Sequence, residues 1–105
     1  MIVIIGSINL DLIATVHRLP KPGETVPGDT FVTAPGGKGA NQALAARRAG
    51  AHTRIVGAVG NDPFAGEALE LLKAAGVDLS AVHQAESATG TAHILVDRGG
   101  ENTIA

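Results

Sequence analysis

The chain contains no cysteine, no tryptophan and no tyrosine, and two phenylalanines bring the aromatic share of its 105 residues to only 2%. Without cysteine there is no disulfide, thiolate nucleophile or thiolate metal site, which fits a reducing compartment. Eight basic and ten acidic residues, for a net charge of −2, are scattered with no basic run and no interleaved aromatics. No nucleic-acid partner is therefore expected. Long hydrophobic runs are absent too. Met1-Ile2-Val3-Ile4-Ile5-Gly6 lacks a basic flank and is far too short for a signal peptide or membrane span. A cytoplasmic protein without a membrane partner is expected. The histidines, His17, His52, His83 and His93, share no metal-like spacing and are expected at the surface or an interface.

Apolar residues are abundant at 45%, so the core must be built from Ala, Val, Ile and Leu, a composition suited to helices packed on a parallel sheet. The length allows one domain at most, burying about two-thirds of its unfolded surface. Fourteen glycines exceed the needs of simple loops and point to close backbone approaches.

Ile2 to Ile5 is a continuous apolar run, the pattern of a strand buried on both faces. Leu10 to Val16 is extended, Leu19-Pro20-Lys21-Pro22-Gly23 forces a turn, and Asp29 to Ala34 is extended again until Pro35-Gly36-Gly37. Ala40 to Ala49 predicts a helix stopped by Gly50, and Arg54 to Val59 a strand. Asp62-Pro63 opens a second helix with Ala65, Ala68, Leu69 and Leu72 on one face and Gly76 as its stop. Thr91 to Val96 is a further strand, and Asp97-Arg98-Gly99-Gly100 a hairpin turn. Alternating strands and helices give an α/β fold with parallel strands and right-handed crossovers. The stretch from Leu10 to Pro35 breaks that rhythm as a β excursion, expected over the carboxyl ends of the strands, where open α/β sheets bind ligands. The chain stops at Glu101-Asn102-Thr103-Ile104-Ala105 while still reading as strand, as a piece of a longer protein would.

Gly36-Gly37-Lys38-Gly39-Ala40-Asn41-Gln42-Ala43 occupies a strand-to-helix junction. Its glycines allow close ligand approach, and the helix start presents unpaired N–H groups suited to hydroxyl oxygens or an anion. Asn41 can both donate and accept. A P-loop is excluded, because Lys38 is followed by Gly39 and position 32 is Val; a dinucleotide fingerprint fails at Gln42. The plain alternative is a tight turn whose glycines only let helix and strand pack. In Gly6-Ser7-Ile8-Asn9-Leu10-Asp11, Asn9 and Asp11 point the same way in an extended chain, pairing an amide with a carboxylate for hydroxyl binding. Its plain alternative is an Asx turn. Both elements follow predicted strands and are expected to converge on one pocket.

The Gly-rich stretch, followed by six residues to Gly50 and nine more to Gly60, resembles the amino-terminal signature of the ribokinase-like carbohydrate and purine kinases. Pro22-Gly23-Glu24-Thr25 and Gly60-Asn61-Asp62-Pro63-Phe64-Ala65-Gly66 are similar to the ribose-phosphorylating members rather than to the adenosine or fructose ones. The likeness runs the whole chain, about the first third of such an enzyme.

The resemblance implies a parallel sheet with flanking helices plus a small β-sheet lid, of which residues 1–105 are the amino-terminal part and the segments at about 10–34 and 91–105 the lid. It implies ATP-dependent phosphorylation of D-ribose to ribose 5-phosphate, with Asn9, Asp11, Gly36, Gly37, Lys38 and Asn41 contacting or shaping the sugar site. Ala92 and Ile94 would be its apolar wall. Asp11 is then a hydroxyl binder, not a base. The general base, in a Gly-Ala-Gly-Asp turn, and the sites for ATP, Mg²⁺ and K⁺ would lie beyond Ala105, so no catalytic residue and no metal ligand is expected here, and the chain alone should be inactive. A homodimer through the lid sheet is implied. The alternatives are a non-catalytic sugar-binding or dimerising module, a kinase for another sugar or a nucleoside, or a truncation product with exposed core. Arg47 and Arg48 are expected on a solvated helix face, Asp62 as a cap, and Gly60 and Gly66 as packing positions.

Overall fold

The computed structural model describes residues 1–105, and local signals account for the bounds of its longer helix. α2 (Pro63–Ala75) begins where Asp62 accepts at Oδ1 from the Ala65 N–H at 3.1 Å, with Pro63 in the first turn, where its missing N–H costs nothing. It ends at Gly76, whose left-handed φ of 84° turns the chain out of the helix. α1 (Lys38–Arg48) starts two residues earlier than Ala40, because Gly37 at φ 100° makes the corner itself. Neither helix is long and apolar enough to cross a membrane.

The chain forms two compact units, Met1–Leu10 with Pro35–Gly90 and Asp11–Ala34 with Thr91–Ala105. The first carries a parallel sheet in the order β1-β4-β5, where β1 is Ile2–Ile5, β4 is Thr53–Val59 and β5 is Val82–Gln84. β1 pairs with β4 from Ile2↔Thr53 to Ile5↔Val56, and β4 with β5 from Gly57↔Val82 to Val59↔Gln84. Ile8, Leu10, Ala43, Ile55, Ala68 and Leu72 are buried and form its core, aliphatic as the composition requires. The helix face expected from the 3.6-residue period delivers Ala68 and Leu72 to that core.

Three expectations need correction, and one strand was not expected. In the 105-residue chain β1 is not buried on both faces: Val3 and Ile5, alternate residues on one side of the strand, are 50% and 80% exposed. An apolar run reports a capacity for burial, while burial itself needs an element packed on each face. Arg47 is not simply solvated. It is half-buried, its Nε donates to the Ala75 carbonyl at 3.1 Å and its Nη1 to Ala51 at 3.4 Å, tying the end of α1 to the end of α2. Gly66 faces open space and packs against nothing, unlike Gly60. β5 has no forecast counterpart, since three residues carry no readable period.

The second unit is built on a four-stranded sheet in the order β3-β2-β6-β7, with β2 Asn9–Val16, β3 Gly28–Gly36, β6 Gly90–Val96 and β7 Asn102–Ile104. β6 and β7 are antiparallel, with Ile94 opposite Ile104, and their turn is held by Asp97 Oδ1 accepting from the N–H groups of Gly99 and Glu101. The hydroxyls of Thr15 and Thr30 pair between β2 and β3. In the proline-bounded turn Arg18 grips Glu24 in a two-pronged fork, both contacts at 2.8 Å. All four histidines are exposed.

Candidate functional site

The Gly-rich turn and the segment after β1 meet within the first unit. Ser7 joins them: its Oγ accepts from the Lys38 N–H at 3.1 Å and its carbonyl from the Ala40 N–H at 3.0 Å. Gly37, at the N-cap, offers no side chain to cap α1, so Ser7 performs the capping from a distant part of the sequence. Two N–H groups expected to await a ligand are therefore already paired. The approach is close enough to exclude side chains. A methyl on Gly37 would lie 2.5 Å from the Ser7 carbonyl oxygen, and one on Gly39 2.6 Å from the Gly6 carbonyl carbon.

This packing sets Asn9, at the start of β2, beside the turn: the Asn9 nitrogen is 3.0 Å from where a Gly37 Cβ would stand. Asn9 is half-buried, Gly36 is buried, and Lys38 and Asn41 are exposed on the first turn of α1. Asn9, Gly36, Gly37, Lys38 and Asn41 thus share one corner of the first unit. Asp11, Ala92 and Ile94 belong to the second unit. Asp11 follows Asn9 by two on β2, on the same side of that strand. Ala92 and Ile94 share a face of β6, half-buried, with His93 opposite and exposed.

Beside Asn9 lies a polar network that the sequence pattern did not disclose. Asp62 accepts from the Thr89 N–H at Oδ2 (2.8 Å) and from the Thr89 hydroxyl at Oδ1 (2.7 Å), and the Thr89 Oγ1 accepts from the Gly60 N–H at 2.9 Å. The backbone N–H of Thr89 and then its hydroxyl hold the Asp62 carboxyl below the usual carboxylate range, with the α2 cap adding to the effect. Asp62 is the expected cap and a second anchor as well. The only signal for its second role is the Thr89-Gly90 pair, which by itself reads as a strand entry. Ser7 was equally silent, since a serine beside a glycine looks like any turn.

No three His, Cys, Asp or Glu side chains gather as a metal site would require. A shallow apolar depression, lined by Leu44, Ala68, Leu71 and Leu72 with Asn41 among its walls, lacks the converging polar groups that a sugar needs.

Comparison with known proteins agrees on one assignment. The family model for the pfkB family carbohydrate kinases matches residues 1–105. The chain is 49% identical to a ribokinase of Bacillus subtilis over 98% of its own length and 35% of that protein's. It is 44% identical to a mouse (Mus musculus) ribokinase, covering 98% of the chain and 32% of the relative. The solved structure of Arabidopsis thaliana ribokinase complexed with ribose and ATP superposes with a TM-score of 0.89 at 36% identity, over 99% of this chain and 34% of that one. The chain spans about a third of the length of these relatives.

Proposed function

Because the chain belongs to the pfkB family of carbohydrate kinases, we propose that it supplies the sugar-gripping part of an enzyme that transfers the γ-phosphate of ATP to the 5-hydroxyl of D-ribose. The observation that carries this proposal is the Ser7-linked corner, where a half-buried Asn9 stands beside the Gly37–Asn41 turn. A carboxamide offers two donors and an acceptor, and the start of α1 adds the Lys38 ammonium and the Asn41 amide, a set that matches vicinal hydroxyls. Asp11, Ala92 and Ile94 are proposed as further sugar contacts on the family pattern alone.

Holding the sugar in one pose is a large part of phosphoryl-transfer catalysis, which depends on alignment and charge stabilisation more than on covalent chemistry. No three His, Cys, Asp or Glu side chains gather in these residues, and neither the P-loop nor the dinucleotide pattern is met. ATP, Mg²⁺, K⁺ and the general base are assigned to the remainder of the kinase, and the 105 residues alone are proposed to be inactive. The resemblance also supports a cytoplasmic enzyme, dimeric through the second unit's sheet.

The test is a kinase assay on the product of the complete reading frame with ATP, Mg²⁺ and K⁺, offering ribose, deoxyribose and adenosine in competition. Ribose is expected to be preferred, and Asn9→Ala to raise its KM at least about tenfold, the worth of one or two hydrogen bonds. Preference for another acceptor would overturn the assignment. Calorimetry of the 105-residue chain with ribose covers the second reading: binding abolished by Asp11→Ala, in a protein whose complete frame shows no turnover, would mark a sugar-binding module.

A further inference from the structure

Resting on the assignment of Asn9 as a sugar ligand, we propose that Gly90, clamped by Asp62 and Thr89, is a positioning residue that sets the orientation of the Asn9 carboxamide. A Cβ on Gly90 would overlap Asn9 Oδ1 and lie 3.3 Å from its Cγ. Gly90 is not among the glycines with positive φ, so its backbone would accept any residue. Glycine also weakens a strand interior or entry, and close approach of another group is the usual reason to find one there. The contact with Asn9 is that reason.

The clamp gives Gly90 a fixed place. Thr89 is 4% exposed, and its backbone N–H and side chain are fully engaged. Its N–H and hydroxyl both go to Asp62, and its hydroxyl oxygen takes the Gly60 N–H. Asp62 is in turn fixed by the first turn of α2 through the Ala65 N–H. The line from α2 through Asp62 and Thr89 to Gly90 therefore ends against one edge of the Asn9 amide. The terminal torsion of an asparagine is soft and roughly two-fold, so a wall on one side selects its orientation. Fixing a polar ligand group before the substrate arrives removes an ordering cost from binding.

The test has a structural arm and a kinetic arm. In the isotope-labelled 105-residue chain, Gly90→Ala and Thr89→Val are expected to shift the side-chain amide resonances of Asn9, while Thr89→Ser, which retains the hydroxyl, leaves them in place. Unmoved resonances in Gly90→Ala would overturn the proposal. In the complete kinase, Gly90→Ala is expected to raise the ribose KM about tenfold with kcat within about twofold, the pattern of lost uniform binding. In an Asn9→Ala background the same change should add less than about twofold, because the group it displaces is gone. An equal penalty in both backgrounds would show that Gly90 acts by another route and would sink the inference. If Asn9→Ala itself left ribose binding intact, the sugar assignment would fall and the functional half of the inference with it. The amide resonances would still decide whether Gly90 orients Asn9.

Discussion

A methyl group at Gly39 would meet the carbonyl carbon of Gly6 at 2.6 Å and the nitrogen of Ser7 at 2.7 Å, and backbone atoms cannot swing aside as a side-chain tip does. Gly39→Ala is expected to destabilise the chain by about 1–3 kcal/mol, the range for overpacking, read from the shift of the urea midpoint. Gly66 sits inside α2 with nothing around it, and Gly66→Ala should move the same midpoint the other way by about 0.5–1 kcal/mol, because glycine is a poor helix former. Charge gives a residue-scale prediction of another kind. The hydrogen bonds from Arg18, then that from the Lys21 N–H, hold Glu24 down to about 2. Its folded value lies below its unfolded one, so its contribution is complete at neutral pH and disappears as pH falls towards 2. Asp78, held to about 2 by Ser80 and Arg54, acts with the same sign. Glu24→Gln should therefore flatten the fall in melting temperature between about pH 5 and pH 2 while leaving the Asp78 share of it.

The two helices contrast in how their starts are secured. α2 carries its own instructions, Asp62, Pro63 and Gly76, and each acts within a few residues, so its bounds were legible in the sequence. α1 depends on Ser7, and no local pattern announces a cap supplied by a different segment. Asp62→Ala is expected to lower the urea midpoint by more than the loss of an ordinary cap would, because the Thr89 N–H and hydroxyl are also left without their acceptor. Asp62→Asn retains one carbonyl oxygen and should lower it less. Denaturant titration of both variants checks the order, and equal stabilities would contradict the dual role. β5 escaped notice because three residues are too few to show alternation, and its pairing with β4 is what defines it.

For the molecule as a whole, the outer strands of the second unit's sheet leave apolar groups in solvent: Phe31 at 65% and Val32 at 54% exposed on β3, and Ile104 at 63% on β7. Exposed edge strands invite pairing with another chain, and the proposed homodimer would cover them. Phe31→Asp is expected to convert a sedimenting dimer of the complete kinase to monomer, and an unchanged sedimentation coefficient would remove Phe31 from that interface. Ile5, 80% exposed on β1, is a second uncovered apolar group, so the 105-residue chain by itself should associate as its concentration rises.

The order of the strands and helices other than β5, the stops at Gly50 and Gly76, the hairpin turn at Asp97 and the family's Gly-rich wording were determined by the sequence alone. Each rests on backbone preferences that operate within about one helical turn. Tertiary structure decided the remainder: that Ser7 takes two amides of the glycine turn, that Arg47 is tied down instead of solvated, that β1 lies open, and that Gly90 stands against Asn9. These are meetings between segments far apart along the chain, and a contact of that kind exists only once folding has brought both partners to the same place.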